Sequence, residues 1–209
     1  MSLAEITERI VQAIQLSAWY EWLAVISGIA SVWFSKSENI WVYPIGLINT
    51  IIYTWISFEY HLPGEASVNF YYTVMSLYGW YNWQRKTEQN KPLVKITFST
   101  AKEWQQELLF FSVSYVVLYF SLTQLQSLFF EGAIPWADAL ASAAAFTGMW
   151  LMTKKKVESW YWWILTNMAS IPLYFVKGLA LTSIYYFLLL IIAVAGLYSW
   201  QQKAKTAHA

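Results

Sequence analysis

Long apolar runs separated by short polar stretches dominate this chain. Seven runs reach membrane-crossing scale: 19–35, 40–58, 66–83, 108–129, 137–152, 160–176 and 181–200. A helix of about 20 mostly apolar residues covers the hydrocarbon of a bilayer, so the pattern predicts seven transmembrane helices. The breaks are local and polar: 36–39, 59–65 with Pro63-Gly64, 84–106, 130–136 with Gly132 and Pro135, 153–159, and Lys177-Gly178. Ahead of the first run, Leu3, Ile6, Ile10, Ile14 and Ser17 recur at helical spacing, with Glu5, Glu8 and Arg9 between them. That is the pattern of a short amphipathic helix lying on the membrane surface, not of a signal peptide.

Composition supports the same class. Of 209 residues, 58% are hydrophobic and 12% are charged, about half the charged share of a soluble domain. That is too little polar surface to cover the apolar excess of one soluble body. There is no cysteine, which excludes disulfides and thiolate metal sites. Net charge is near zero, at +1, and marks no nucleic-acid partner.

Charge becomes informative once it is divided by loop. With seven spans, one side holds only Arg9 and Lys177, while the other holds the remaining 11 of 13 basic residues. The positive-inside rule makes the second side cytoplasmic, with the N-terminus outside and the C-terminus inside. The expected organisation is an amphipathic segment (1–18), a first three-helix unit (19–86), a cytoplasmic loop with a linker helix (87–136), a second three-helix unit (137–203) and a cytoplasmic tail (204–209).

A faint duplication explains the odd span. Residues 79–86 (GWYNWQRK) match residues 196–203 (GLYSWQQK) at five of eight positions, an offset of 117. Trp33 then meets Trp150 and Glu21 meets Asp138. One residue of slippage aligns Asn49 with Asn167 and Tyr43 with Tyr161. Tandem triplets alternate in direction, so one extra crossing is needed for both to run the same way. The expected architecture is all-α and integral to the membrane, a 3+1+3 parallel repeat.

Polar side chains are costly in lipid and face the bundle interior. On span 3, Asn69, Tyr72, Thr73, Ser76, Trp80 and Trp83 share one helical face; on span 6, Trp160, Trp163, Asn167 and Tyr174 do the same; on span 2, Asn49 is followed one turn later by Tyr53. These twelve are the candidate substrate-binding residues, with Asn49 and Asn167 nearest the midplane. Glu21 and Asp138 sit at helix starts and read as caps. With no carboxylate or histidine at mid-span, transport without ion coupling is the simpler expectation. No metal-ligand cluster, phosphate loop or catalytic triad is apparent, so neither cofactor nor enzymatic activity is expected. Aromatic faces attract cations and Asn serves carboxamides and sugar hydroxyls, whereas a phosphorylated ligand would want Arg or Lys.

Several motifs carry a resemblance: 45–49 (IGLIN), 78–83 (YGWYNW), Pro135 with Asp138, and 152–160 (MTKKKVESW) leading to Trp163 and Asn167. Over about residues 19–203 the chain resembles the PnuC-type nicotinamide riboside transporters of bacteria. The resemblance implies a fold related to SWEET sugar carriers and facilitated diffusion of nicotinamide riboside across the inner membrane. It also implies a homotrimer and trapping of the riboside by a cytoplasmic kinase. Relatives that carry thiamine or riboflavin keep another vitamin open as cargo, and a SWEET-like sugar carrier is the further alternative.

Overall fold

The computed structural model describes residues 18–59, 63–129, 134–177 and 179–206; the predicted N-terminal amphipathic helix lies outside these. Among the described residues are seven helices: α1 (Trp19–Lys36), α2 (Val42–Glu59), α3 (Pro63–Gln84), α4 (Ala101–Phe129), α5 (Pro135–Thr153), α6 (Ser159–Val176) and α7 (Ala180–Thr206). Two of them, over Ala101–Gln124 and Leu181–Thr206, are apolar enough to cross a membrane by hydropathy alone. The other five carry the Asn, Ser, Thr, Tyr and Trp that dilute their hydropathy.

The helix ends follow local chemistry. Glu21 accepts the Ala18 N–H at 3.2 Å and Asp138 accepts the Ile134 N–H at 3.0 Å, so both act as the expected caps. Asp138 also pairs with Lys177 at 2.6 Å. Pro135 opens α5, where its missing N–H costs nothing. The α4 helix begins at Ala101, seven residues before the predicted span. Thr100 and Glu103 form a reciprocal cap there, Thr100 N–H to Glu103 Oε2 at 2.8 Å and Glu103 N–H to Thr100 Oγ1 at 3.3 Å. Its first turns are charged and so fall outside an apolar run. For the same reason α7 continues past the predicted end at Trp200 to Thr206, and Ala204 is fully buried.

Packing groups the helices in threes. In the first triplet α1 packs on α2 and α2 on α3; in the second α5 packs on α6 and α6 on α7. The triplets meet through α1 with α7 and α3 with α5, while α4 lies against α5. The two joints are equivalent under the 117-residue offset, which maps α1 to α5 and α3 to α7.

Side chains follow that offset without slippage. Asn49 Nδ2 donates to the Ala24 carbonyl at 2.7 Å, and Thr166 Oγ1 donates to the Ala141 carbonyl at 3.4 Å. Both bonds tie the second helix of a triplet to its first. The ring of Tyr43 lies against Gly79 as that of Trp160 lies against Gly196. Glu38 and Lys155, 117 residues apart, both take positive φ, 58° and 53°. The counterpart of Asn49 is therefore Thr166, and that of Tyr43 is Trp160. The one-residue slip is corrected: identity-matching favoured Asn and Tyr, whereas the fold conserves the position of the hydrogen bond and the ring.

Candidate functional site

Midway along the bundle, aromatic rings from both triplets converge. Tyr72 on α3 meets Phe146 on α5 and Trp163 on α6 at centroid separations of 6.2 Å. Tyr71 packs on Phe146 at 4.2 Å, and its hydroxyl donates to the Phe146 carbonyl at 3.0 Å. Tyr174 on α6 stacks on Tyr186 of α7 at 5.1 Å, and Tyr185 meets Tyr186 edge-on. Tyr72 lies within electrostatic reach of Tyr71, Tyr185 and Tyr186, and Tyr185 within reach of Tyr53. The Tyr185 hydroxyl reaches α1 beside the Asn49 amide: a Cβ at Gly28 would stand 2.5 Å from one and 2.8 Å from the other.

Polar groups border these rings. Asn167 is 3% exposed, on the same face of α6 as Trp163 and Tyr174. No hydrogen-bond partner for its amide occurs among the described residues. Asn49 spends its NH₂ on Ala24, which leaves its carbonyl oxygen as acceptor. The described Lys and Arg side chains all belong to the helix ends and loops, so the cluster itself is neutral.

Six of the twelve sequence-predicted residues thus come together here: Asn49, Asn167, Tyr53, Tyr72, Trp163 and Tyr174. Three others join helices of the first triplet or line α3. The Thr73 hydroxyl donates to the Asn69 carbonyl at 3.0 Å and lies 2.9 Å from the Thr50 hydroxyl, and Ser76 is 3% exposed. The remaining three, Trp80, Trp83 and Trp160, belong to the core at the basic end. They share the predicted face, but α3 and α6 are long enough for that face to run from midplane to helix end. Tyr71, Phe146, Tyr185 and Tyr186 were missed. The Tyr71-Tyr72 and Tyr185-Tyr186 pairs were the available signal, since two adjacent tyrosines cover about 100° more of the helix circumference than one and so raise the share of rotations that bring a hydroxyl inward.

The basic end holds a reciprocal clasp between the triplets. Trp83 Nε1 donates to the Met152 carbonyl at 3.1 Å, and Trp200 Nε1 donates to the Ser35 carbonyl at 3.2 Å. Trp83 and Trp200 are equivalent under the offset, as are Ser35 and Met152. The two indoles lie 6.1 Å apart, with Trp160 edge-on to Trp200 at 5.5 Å. Asn82 Nδ2 adds a bond to the Thr153 carbonyl at 2.9 Å. Above them, Glu38 accepts from Lys155 at 2.8 Å and Lys203 at 3.1 Å, and the Lys155 ammonium sits 4.5 Å from the centre of the Trp83 ring.

Two cavities are described, both at this end. One of about 370 Å³ is bordered by Glu38, Lys95, Ile96, Lys203 and Thr206; one of about 10 Å³ lies beside Glu107. At midplane the rings of Tyr71, Tyr72, Phe146 and Trp163 pack against one another edge-on or tilted.

Two helical triplets packed around a shared aromatic cluster, with a further helix beside them, define an all-helical membrane protein. The family model for nicotinamide mononucleotide transporters matches residues 18–202, and the chain belongs to that family. The nicotinamide riboside transporter PnuC of Escherichia coli (strain K12) is 26% identical over 208 residues, covering 90% of this chain and 87% of its own. The riboflavin/roseoflavin transporter RibM of Streptomyces davaonensis is 24% identical over 188 residues, covering 90% and 86%. The crystal structure of the vitamin B3 transporter PnuC superposes with a TM-score of 0.72 at 24% identity, covering 98% of this chain and 90% of that one; the two share a fold.

Proposed function

We propose that this chain carries nicotinamide riboside across a bacterial inner membrane by facilitated diffusion, its two triplets rocking about the aromatic cluster as like-oriented repeats in a SWEET-like 3+1+3 arrangement. The observation that carries this reading is the cluster itself, which draws Tyr53, Tyr71, Tyr72, Trp163, Tyr174 and Tyr185 from both triplets and contains no basic side chain. A cationic pyridinium suits aromatic faces. Carboxamide and ribose hydroxyls suit Asn167 and the Asn49 carbonyl. A phosphate would meet no Arg or Lys there, which favours the riboside over its phosphorylated form.

The basic end is cytoplasmic in this reading. Trp83, Trp160 and Trp200, with the Glu38 clasp, seal that end, so the state described is closed to the cytoplasm. Transport then requires these bonds to break while the outer joints tighten. The packing of α1 to α3 together and of α5 to α7 together supports a division into units 19–86 and 137–203 joined by α4. The exposed apolar face of α4, with Leu109, Val113, Val117 and Phe120, is available to lipid or to the neighbour of a homotrimer. A cytoplasmic kinase would keep the flow inward by phosphorylating the product.

Riboflavin is the second reading, favoured by the RibM match; thiamine, also flat and cationic, shares the aromatic argument. A calorimetric or thermal-shift screen of the purified protein separates them. Nicotinamide riboside should bind, and its phosphorylated form, thiamine, riboflavin and simple sugars should bind far less. Tighter binding of another member of the panel overturns the assignment. Uptake that collapses without a proton or sodium gradient overturns facilitated diffusion.

A further inference from the structure

The segment between α3 and α4 is folded against both triplets. On leaving α3 the chain zips into a tight hairpin. Thr87 N–H donates to the Lys91 carbonyl at 2.8 Å and Leu93 N–H to the Arg85 carbonyl at 2.9 Å, with Lys86 opposite Pro92 and Asn90 in the left-handed region at φ 60°. The hairpin returns the chain to the end of α3, and residues 93–96 alone cross from there to the second triplet. On the far side Thr97 pairs with Lys156 in a parallel bridge. Thr97 N–H donates to the Lys155 carbonyl at 3.2 Å, and Val157 N–H donates to the Thr97 carbonyl at 3.0 Å. Lys156 Nζ reaches the Phe98 carbonyl at 3.4 Å.

Between these anchors Ile96 is 5% exposed, in one apolar core with Trp83 of α3, Val157, Trp160 of α6, and Trp200 and Ala204 of α7. Loops ordinarily run over a surface; this one seats a branched side chain among the rings that close the basic end. Lys95 and Ile96 also border the cavity of about 370 Å³, together with the clasp residues Glu38 and Lys203. Residues 93–96 reach at most about 14 Å when fully extended, so a wide parting of the two triplets there requires one anchor to let go. The hairpin is closed locally and reforms at little entropic cost. The Thr97 bridge joins segments distant in sequence and has no turn to zip it.

We propose, resting on the reading that the basic end opens during transport, that residues 93–98 form a releasable strap across the seam between the triplets. Ile96 leaves its seat and the Thr97–Lys156 bridge parts each time that end opens. While the strap is seated, Trp83 and Trp200 are held in their bonds to the Met152 and Ser35 carbonyls. Two backbone bonds and one apolar side chain make a modest hold, suited to repeated release.

The chain has no cysteine, so disulfides can be placed without background. Neighbouring paired strands lie about 4.8 Å apart, inside the ~4.4–6.8 Å Cα separation that a disulfide spans. Thr97→Cys with Lys156→Cys locks the strap, and Lys86→Cys with Pro92→Cys locks the hairpin as a control. Each variant in its reduced form is its own reference, which cancels the loss of the Lys156–Glu103 ion pair. In proteoliposomes, oxidation of the strap pair should lower nicotinamide riboside uptake at least tenfold, with recovery on reduction. Oxidation of the hairpin pair should leave uptake unchanged. Hydrogen exchange without cargo reads the same motion. The amides of residues 200–204 in α7, which belong to neither cross-link, should exchange at least tenfold more slowly with the strap locked and at an unchanged rate with the hairpin locked. If the strap pair fails to fold, Ile96→Ala decides: exchange at 200–204 should rise at least threefold while that at 137–141, at the opposite end of the bundle, stays the same. Exchange unchanged by the strap lock, exchange slowed as much by the hairpin lock, or uptake that persists with the strap locked overturns the proposal. Slowed exchange in a protein whose reduced form takes up no nicotinamide riboside keeps the strap and retires the cargo assignment.

Discussion

The two triplets share a frame but fill it differently. In the first, Tyr43 packs against Gly79 and Ser31 donates to the Val42 carbonyl at 2.7 Å beside Gly46. In the second, Trp160 packs against Gly196, and Gly148 lies against Trp163. At the ends, equivalent positions keep their character. Nearer the midplane, small and large trade places: Ser31 and Gly46 correspond to Gly148 and Trp163. Thr50, which touches Thr73, corresponds to Asn167, whose amide has no hydrogen-bond partner among the described residues. The frame is thus two-fold while the cluster inside it is lopsided. A lopsided cluster lets one asymmetric ligand sit in one orientation, and the even frame lets the two triplets move as counterparts.

The frame is the easiest part to break. A Cβ on Gly196 would come within 2.5 Å of the Trp160 ring, and one on Gly79 would meet the Tyr43 ring as closely. Both rings are buried, at 0% and 1% exposure. Gly196→Ala and Gly79→Ala should each destabilise the protein by about 1–3 kcal/mol, the usual cost of overpacking, and by similar amounts. Thermal melting in detergent measures this. A large loss at one glycine with none at the other would show that the triplets are not counterparts at this end.

The lopsidedness is tested next. Asn167→Ala should weaken nicotinamide riboside binding at least tenfold, about 1.4 kcal/mol, with melting nearly unchanged, because among the described residues no group hydrogen-bonds that amide. Asn49→Ala should lower the melting temperature as well as affinity, since it removes the bond to Ala24. Titration calorimetry alongside melting separates the two. Unchanged affinity in both variants would remove the asparagines from the site.

The clasp comes third. Trp83→Phe and Trp200→Phe keep ring volume close but delete one indole–carbonyl bond each. Each should cost about 1 kcal/mol, and the pair should couple, because the rings touch. Strict additivity in a double-mutant cycle would mean the two bonds act independently.

Helix number and the spacing of the duplication were legible because apolar runs and the repeated G-x-Y-x-W-Q-x-K pattern are local signals. The start of α4 was not, although the T-x-x-E cap at Thr100 stood in plain text, because apolar runs report lipid depth and not helix ends. Half of the candidate site was legible from polar stripes. A stripe gives the direction of a side chain but not its depth, so Trp83 and Trp160 read the same as Trp163. The pairing of Asn49 with Thr166 was hidden because a hydrogen bond is conserved by position, not by residue identity.

Glu38 yields the smallest expected effect and the sharpest test of equivalence. Burial pushes its carboxyl upward, but hydrogen bonds and charge from Lys155 and Lys203 outweigh this and hold it below the ordinary range. A carboxylate lowered by folding contributes its full stability above the unfolded value, and that contribution is lost as pH falls through the folded value. Near neutral pH the clasp is therefore intact, and acid releases it. Glu38→Gln should lower the melting temperature slightly at neutral pH, within the modest range of partly exposed ion pairs, and flatten the acid-side fall. Because Glu38 and Lys155 hold the same left-handed backbone at equivalent positions, exchanging them (Glu38→Lys with Lys155→Glu) should recover the Glu38–Lys155 share of that loss. The Lys203 share should stay lost, because Lys203 then faces a lysine at position 38. An acid-side slope in Glu38→Gln as steep as in the wild type would show that the three charges do not hold the triplets together.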